Sequence, residues 1–178
     1  MMYYSNIIEH DTANGPGWRT TLFVSGCRNN CPNCFNQEAQ NFEHGEIFTP
    51  DNFIYILTNI DSPTVDGLSI LGGDPLWQEP EDMLILMRLC DYVHMRNKTV
   101  WLWTGFTWEQ IFENPLTFEL PEYMRPQLIK KCDVVVDGPF IEAQKDLTLK
   151  WKGSTNQRII DVQASLSQNK IILWNEGD

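Results

Sequence analysis

The sequence predicts an α/β fold, an open and partial (β/α) barrel of about six mostly parallel strands, in one domain spanning residues 1–178. Three observations predict it. Apolar runs rich in β-branched and aromatic residues recur along the chain, with helical periodicity between them. Those runs are nearly continuous rather than alternating, which is the pattern of parallel strands covered on both faces. Several end in glycine, so the polar segments after them fall where α/β folds collect their chemistry, at the C-terminal ends of strands. Six or so strands are too few to close an eight-fold barrel, hence the open form.

Taken in order, TLFVSG (21–26) is the first predicted strand and leads directly into a cysteine-rich loop. In TPDNFIYILTNI, Thr49 is placed to cap a helix, Pro50 suits its first position, and Phe53, Ile56, Leu57 and Ile60 recur at i, i+3, i+4 and i+7. GLSILG (67–72) is the second strand. The segment EPEDMLILMRLCDYVHMRN opens with Glu79, Glu81 and Asp82 and closes near Arg96 and Lys98, charges that complement a helix dipole. Met83, Met87, Cys90 and His94 mark one face of that helix. VWLWTG (100–105) is a third strand, a shorter helix begins near Thr107, and DVVVDG (133–138) is a fourth strand. RIIDV (158–162) and IILW (171–174) complete the set. Strand and helix in this alternation imply right-handed βαβ units.

Composition narrows the function. A formal net charge of −11, with 13 Lys and Arg in 178 residues, argues against a nucleic-acid surface, which needs clustered cations. The acidity serves solubility or steers a basic protein partner. No stretch approaches the roughly 20 apolar residues of a membrane span, and the N-terminus shows no basic segment followed by an apolar one. Five cysteines, three of them within eight positions, fit a reduced, cytoplasmic setting and a metal site better than a disulfide framework.

Those three, in GCRNNCPNCFN (26–36), are Cys27, Cys31 and Cys34, spaced C-x3-C-x2-C. Three thiolates from one loop can hold three irons of a cubane cluster and leave the fourth iron without a protein ligand. Structural zinc would need a fourth donor, for which His44, Cys90 and Cys132 are the candidates. Cys90 and Cys132 fall inside a helix and at a strand start, where a buried packing thiol is the plain reading. GGDP (72–75) by itself reads as a strand-to-helix turn.

C-x3-C-x2-C after a first strand, with GGDP after the second, resembles the radical S-adenosylmethionine (SAM) enzymes. More closely, NGPGWRTTLFVSGCRNNCPNCFN, LSILGGDPL, VWLWTGF, DVVVDGPF and KGSTNQRIID, in this order from Asn14 to Asp161, resemble the activating proteins of anaerobic, class III ribonucleotide reductases. The resemblance implies a radical SAM type of barrel and a [4Fe-4S] cluster on Cys27, Cys31 and Cys34, with the amine and carboxylate of SAM on the open iron. Three cysteines are then a complete set. It implies one-electron cleavage of SAM to a 5′-deoxyadenosyl radical, which takes hydrogen from a glycine Cα of the large reductase subunit. A low-potential electron donor such as flavodoxin would supply the electron, and no general acid or base is called for.

Within the resemblance, Gly72, Gly73 and Asp74 are expected at the SAM amino group, their glycines letting the main chain approach the ligand. On that expectation Gly73→Val weakens SAM binding far more than cluster assembly. Many radical SAM enzymes place an aromatic residue just before the third cysteine; here that position is Asn33, so Phe35 and the backbone of Asn33 and Phe35, flanking Cys34, are the candidates to face adenine. Phe35 is equally readable as core. Thr104 and Asp137, at strand ends, are candidates for ribose or carboxylate contacts, or plain caps. Arg19, in GPGWR, is a candidate near the cofactor or the partner. Lys152 stands where the family usually has Arg, which puts any bidentate contact there in doubt. Trp101 and Trp103 alternate onto one strand face, as packing residues do. Two other functions are left open: a small radical SAM enzyme acting on a metabolite, and a zinc-binding interaction module.

Overall fold

The computed structural model describes residues 1–112 and 120–176. Seven strands form one mixed sheet: β1 (Tyr3–Asp11), β2 (Arg19–Val24), β3 (Glu46–Ile47), β4 (Gly67–Gly72), β5 (Thr99–Trp103), β6 (Val134–Asp137) and β7 (Arg158–Asp161). Their spatial order is β3-β1-β2-β4-β5-β6-β7. The central four, β2, β4, β5 and β6, run parallel. At one side β1 is antiparallel to both β2 and β3, and at the other β7 is antiparallel to β6. The helices are α1 (Pro50–Ile60), α2 (Pro80–Met95), α3 (Trp108–Phe112), α4 (Leu120–Ile129) and α5 (Val162–Gln168).

Where local chemistry is strong, sequence and structure coincide. Thr49 caps α1 in a reciprocal capping box with Asn52, ahead of Pro50. GLSILG is β4 to the residue. The predicted six strands become seven, and the sheet is parallel only in its centre. β1 escapes pattern reading because two register shifts, between Tyr4 and Asn6 and between Ile8 and Asp11, break its alternation. β3 has only two residues, both exposed. IILW is not a strand: Leu173 makes a single bridge to Ile160. Pro126 inside α4 conceals that helix, and α5 follows β7 without a loop, capped by the Asp161 carboxylate on the Ala164 amide.

The strand order β2-β4-β5-β6 never reverses, so right-handed crossovers place their helices on the same face of the sheet. The main core lies between that face and the helices. Leu22, Leu68, Ile70, Val100, Leu102 and Val135 meet Ile56, Met83, Leu86, Val93 and Leu128 there, all fully buried. Cys90 and Cys132 belong to this core. Among the described residues, the hydrophobic cluster on the opposite face contains no helical residue. Trp101, Val134 and Val136 are buried there against Trp103, Trp151, Ile159 and Trp174, with the Trp101 ring 4.9 Å from Trp174 and 5.3 Å from Trp151. Thus the strands are apolar on both faces for two different reasons.

Arg19 lies at the N-terminal edge of the parallel strands, in register with Gly67 and, through it, Thr99. Its guanidinium is 1% exposed and donates to Ser69 Oγ, to the Leu68 carbonyl, and to the Thr99 carbonyl and hydroxyl. This corrects the expectation that Arg19 faces a cofactor or partner, because every donor direction closes the bottom of the sheet. Among the described residues no helix is long and apolar enough to cross a membrane.

Candidate functional site

The C-terminal ends of β2, β4, β5 and β6 open, on the side of Trp103 and Trp151, into a cavity of about 450 Å³. Cys27, Cys31 and Cys34 line it together with Gly72, Gly73, Asp74, Thr104 and Gly105. Trp103 and Trp151 line it as well, the Trp103 indole N–H donating to the Trp151 carbonyl at 2.7 Å. Phe35 and Leu147, 65% and 81% exposed, stand at its mouth. A second hollow, of about 540 Å³ beside β1 and β3, contains no cysteine and lies apart from these strand ends.

The cysteine loop is fastened to the sheet through its backbone. Gly26 and Cys27 donate to the carbonyls of Ala39 and Gln40, and the Gly73 and Asp74 amides donate to the carbonyls of Val24 and Gly26. A Cβ on Gly73 would lie 2.6 Å from the Gly26 oxygen and 2.7 Å from the Ala39 oxygen. One on Gly72, whose φ is +107°, would lie 2.5 Å from the Val24 oxygen. Both glycines are therefore demanded by chain packing against chain, independently of any approach to a ligand.

Asp74 is buried, and its carboxylate accepts from Asn29 Nδ2, the Gly105 and Leu76 amides and the Thr104 hydroxyl, at 2.8 to 3.1 Å. Burial pushes its carboxyl up, and the four donors oppose that shift. The Thr104 hydroxyl also accepts from the Phe106 amide, so its proton is committed to Asp74 and one of its lone pairs to Phe106 within the protein. Burial, reinforced by Asp74, pushes the Cys27 thiol up to about 12; burial also raises Cys31. Metal binding at such thiols must displace protons. Asn33 is exposed with φ +52°, and Phe35 packs edge-on to Phe140 at 5.7 Å beneath the Lys145 ammonium.

Asp137 does not line the cavity. It accepts from the Trp108 amide at 2.7 Å and from Arg158 at 3.0 Å, and Arg158 also forks onto both Glu109 oxygens at 2.8 and 2.9 Å. Next to this group, Gln157 accepts from the Gly153 amide and donates to the Gly138 carbonyl, while Lys152 donates to the Gln157 carbonyl. DVVVDGPF and KGSTNQRIID thus form one folded unit, with Lys152 bonded within it. The hydrogen-bonded Arg158 holds the Glu109 carboxyl down to about 2. A depressed carboxylate stabilises the fold above its ordinary pKa and loses that contribution as pH falls toward its folded value. Thermal melts of wild type and Glu109→Gln are therefore expected to diverge at pH 6 and converge near pH 2, modestly, because Glu109 is 41% exposed. Parallel melting curves across that range would remove the pair from the stability account.

Three cysteines on one cavity wall suit a cubane, whose irons take one thiolate each. Among the described residues no three His, Cys, Asp or Glu converge on a single ion. His44 is not among the residues lining the cavity with the three cysteines, and Cys90 and Cys132 sit in the helix-side core, so none is placed beside the three as a fourth zinc donor. Sequence reading missed Asn29, Trp77, Asn36 and Gln78. Asn36 bonds the Gly72 carbonyl at 3.1 Å and Gln78 the Ser25 carbonyl at 3.0 Å. Amide side chains that tie distant segments leave no spacing signature.

Comparison with known proteins agrees with this geometry. A family model described as a 4Fe-4S single cluster domain matches residues 13–160. The anaerobic ribonucleoside-triphosphate reductase-activating protein of Vibrio cholerae serotype O1 is 35% identical over 162 residues, 89% of this chain and 97% of that protein. Its namesake from Enterobacteria phage T4 is 33% identical over 89% of this chain and 93% of the relative, and that of Escherichia coli K12 32% over 88% and 96%. With a cysteine-lined cavity at the strand ends and identity above 30% along nearly the whole length of such relatives, this chain belongs to the family of anaerobic ribonucleoside-triphosphate reductase-activating proteins.

Proposed function

We propose that the chain is a cytoplasmic activating enzyme that installs a glycyl radical on the large subunit of an anaerobic ribonucleotide reductase. One radical SAM domain, an open partial barrel with its helices outside, carries the activity. The observation that supports it most is the meeting of Cys27, Cys31 and Cys34 with the Gly72-Gly73-Asp74 segment on one cavity with an open mouth. Cys27, Cys31 and Cys34 would hold a [4Fe-4S] cluster, with SAM bound beside it. Bound together, cluster and SAM supply a reductive C–S cleavage and a 5′-deoxyadenosyl radical that abstracts hydrogen.

The chain's own residues bind, orient and shield. The amides of Gly73 and Asp74 are already donated to β2 and the cysteine loop, so this segment offers carbonyl oxygens, the acceptors an ammonium group requires. Phe35 and Gly105 border the space left for the adenosine, with Thr104 fixing the strand end beside it, while Asn33 is exposed and outside the cavity lining. Asp137 acts indirectly, anchoring Arg158 and the wall that carries Lys152. Trp103 and Trp151 give the cavity an apolar floor that keeps water from a carbon radical. Asp74 and Asp137 are both held by hydrogen bonds within the protein. The mouth between Phe35 and Leu147 suits a polypeptide segment, and a low-potential donor such as flavodoxin supplies the electron.

The test is anaerobic reconstitution with iron and sulfide, then SAM, a reductant and the reductase subunit, read by electron paramagnetic resonance. A stable organic radical is expected only with the subunit present, and glycine deuterated at Cα should collapse its main splitting and pass label to 5′-deoxyadenosine. Multiple-turnover SAM cleavage stimulated by a small metabolite, with no radical on the subunit, would replace this reading by a metabolite enzyme. A colourless protein with one zinc would replace it by an interaction module.

A further inference from the structure

Inside the cysteine loop, between Cys27 and Cys31, Asn29 has both ends of its amide fixed. Its Nδ2 donates to Asp74 at 2.8 Å, and its Oδ1 accepts from the Trp77 indole N–H at 2.9 Å. Its backbone N–H points at Cys27 Sγ, 3.5 Å away. The surroundings are built to receive it. A Cβ on Gly105 would lie 2.1 Å from Asn29 Nδ2, so the residue after Thr104 must be glycine for the amide to enter. Asp74 meanwhile spends its other acceptor positions on Thr104, Gly105 and Leu76, which fixes the carboxylate that Asn29 grips.

We propose that Asn29 is a positioning residue for the cluster, its side chain locking the Cys27–Cys31 turn onto the ends of β4 and β5 so that its own N–H is held to the Cys27 sulfur. This rests on Cys27, Cys31 and Cys34 being the cluster ligands. Two consequences follow from the geometry. The loop is held before iron arrives, so the ligands do not have to be ordered at the expense of binding. An amide donor on a ligating sulfur also draws charge from it, and hydrogen bonds to the sulfurs are among the levers that set an iron–sulfur potential. Loss of that donor lowers the potential.

Wild type, Asn29→Ala and Trp77→Phe are reconstituted anaerobically and compared by the rate of iron loss to a ferrous chelator, the spectrum of the reduced cluster and its midpoint potential. Apo-protein melts are run in parallel. Asn29→Ala should release iron about tenfold faster or more, as loss of an outer-shell partner does, with an altered spectrum and a lower potential. Trp77→Phe removes the indole donor together with part of the ring that packs on Phe106 and Arg125, leaves Asn29 bonded to Asp74, and should move all three in the same direction by less, which decides the matter should Asn29→Ala not fold. Unchanged iron release, spectrum and potential in a folded Asn29→Ala protein overturn the proposal, and a lowered melt alone marks Asn29 as merely structural. Full iron loading of Cys27→Ala would instead defeat the ligand assignment, and with it this inference; that failure is recognised without any Asn29 variant.

Discussion

Alanine at Cys31 abolishes retention of iron and sulfide after anaerobic reconstitution, as does alanine at Cys27 or Cys34, whereas Cys90→Ala and Cys132→Ala proteins load fully. The expectation follows from where the thiols lie. The first three line one cavity and are all partly accessible, while the other two are wholly buried on the far, helix-covered face of the sheet. No thiol in the core can move across the sheet to replace a missing ligand. Cys132→Ala instead lowers thermal stability by about 1 kcal/mol, the ordinary cost of a small core deletion. Iron and sulfide analysis of the five variants checks the set. A fully loaded Cys31→Ala protein would falsify the cluster assignment.

Valine at Gly73 is expected to remove cluster assembly and SAM binding together, and to destabilise the apo-protein by about 3 kcal/mol or more. The sequence alone suggests a selective loss of SAM affinity, since a glycine beside a ligand usually serves its close approach. The packing says otherwise: the added side chain meets the carbonyls of Gly26 and Ala39, the two residues whose hydrogen bond closes the base of the cysteine loop. Neither neighbour is a flexible side chain that could step aside. Melting of the apo-protein, iron content and equilibrium dialysis with SAM separate the two accounts. A stable, iron-loaded Gly73→Val protein impaired only in SAM affinity would reinstate ligand approach as the reason for the glycine.

Much of the fold and of the candidate site was legible in the chain because their determinants are local. β4, β5 and β6 are continuous apolar runs, α1 carries its own capping box, and C-x3-C-x2-C puts three thiols on one loop that lines one cavity. The order of motifs from Asn14 to Asp161 was enough to resemble the family that the relatives then showed. The outer strands were not legible. β1 pairs through register shifts that erase its period, and β3 is too short to leave one. The roles of single polar residues were decided only in three dimensions. Asp74, Thr104 and Asp137 look alike in sequence, each at a strand end, yet Asp74 gathers donors from three segments and Asp137 turns away from the cavity toward Arg158. Arg19 was read toward the site and lies at the opposite edge of the sheet, and Asn29 was not read at all. The physical reason is the same throughout: spacing reports contacts within a turn or along a strand, whereas a buried hydrogen-bonding group is satisfied by whichever distant segment the folded sheet brings within about 3 Å.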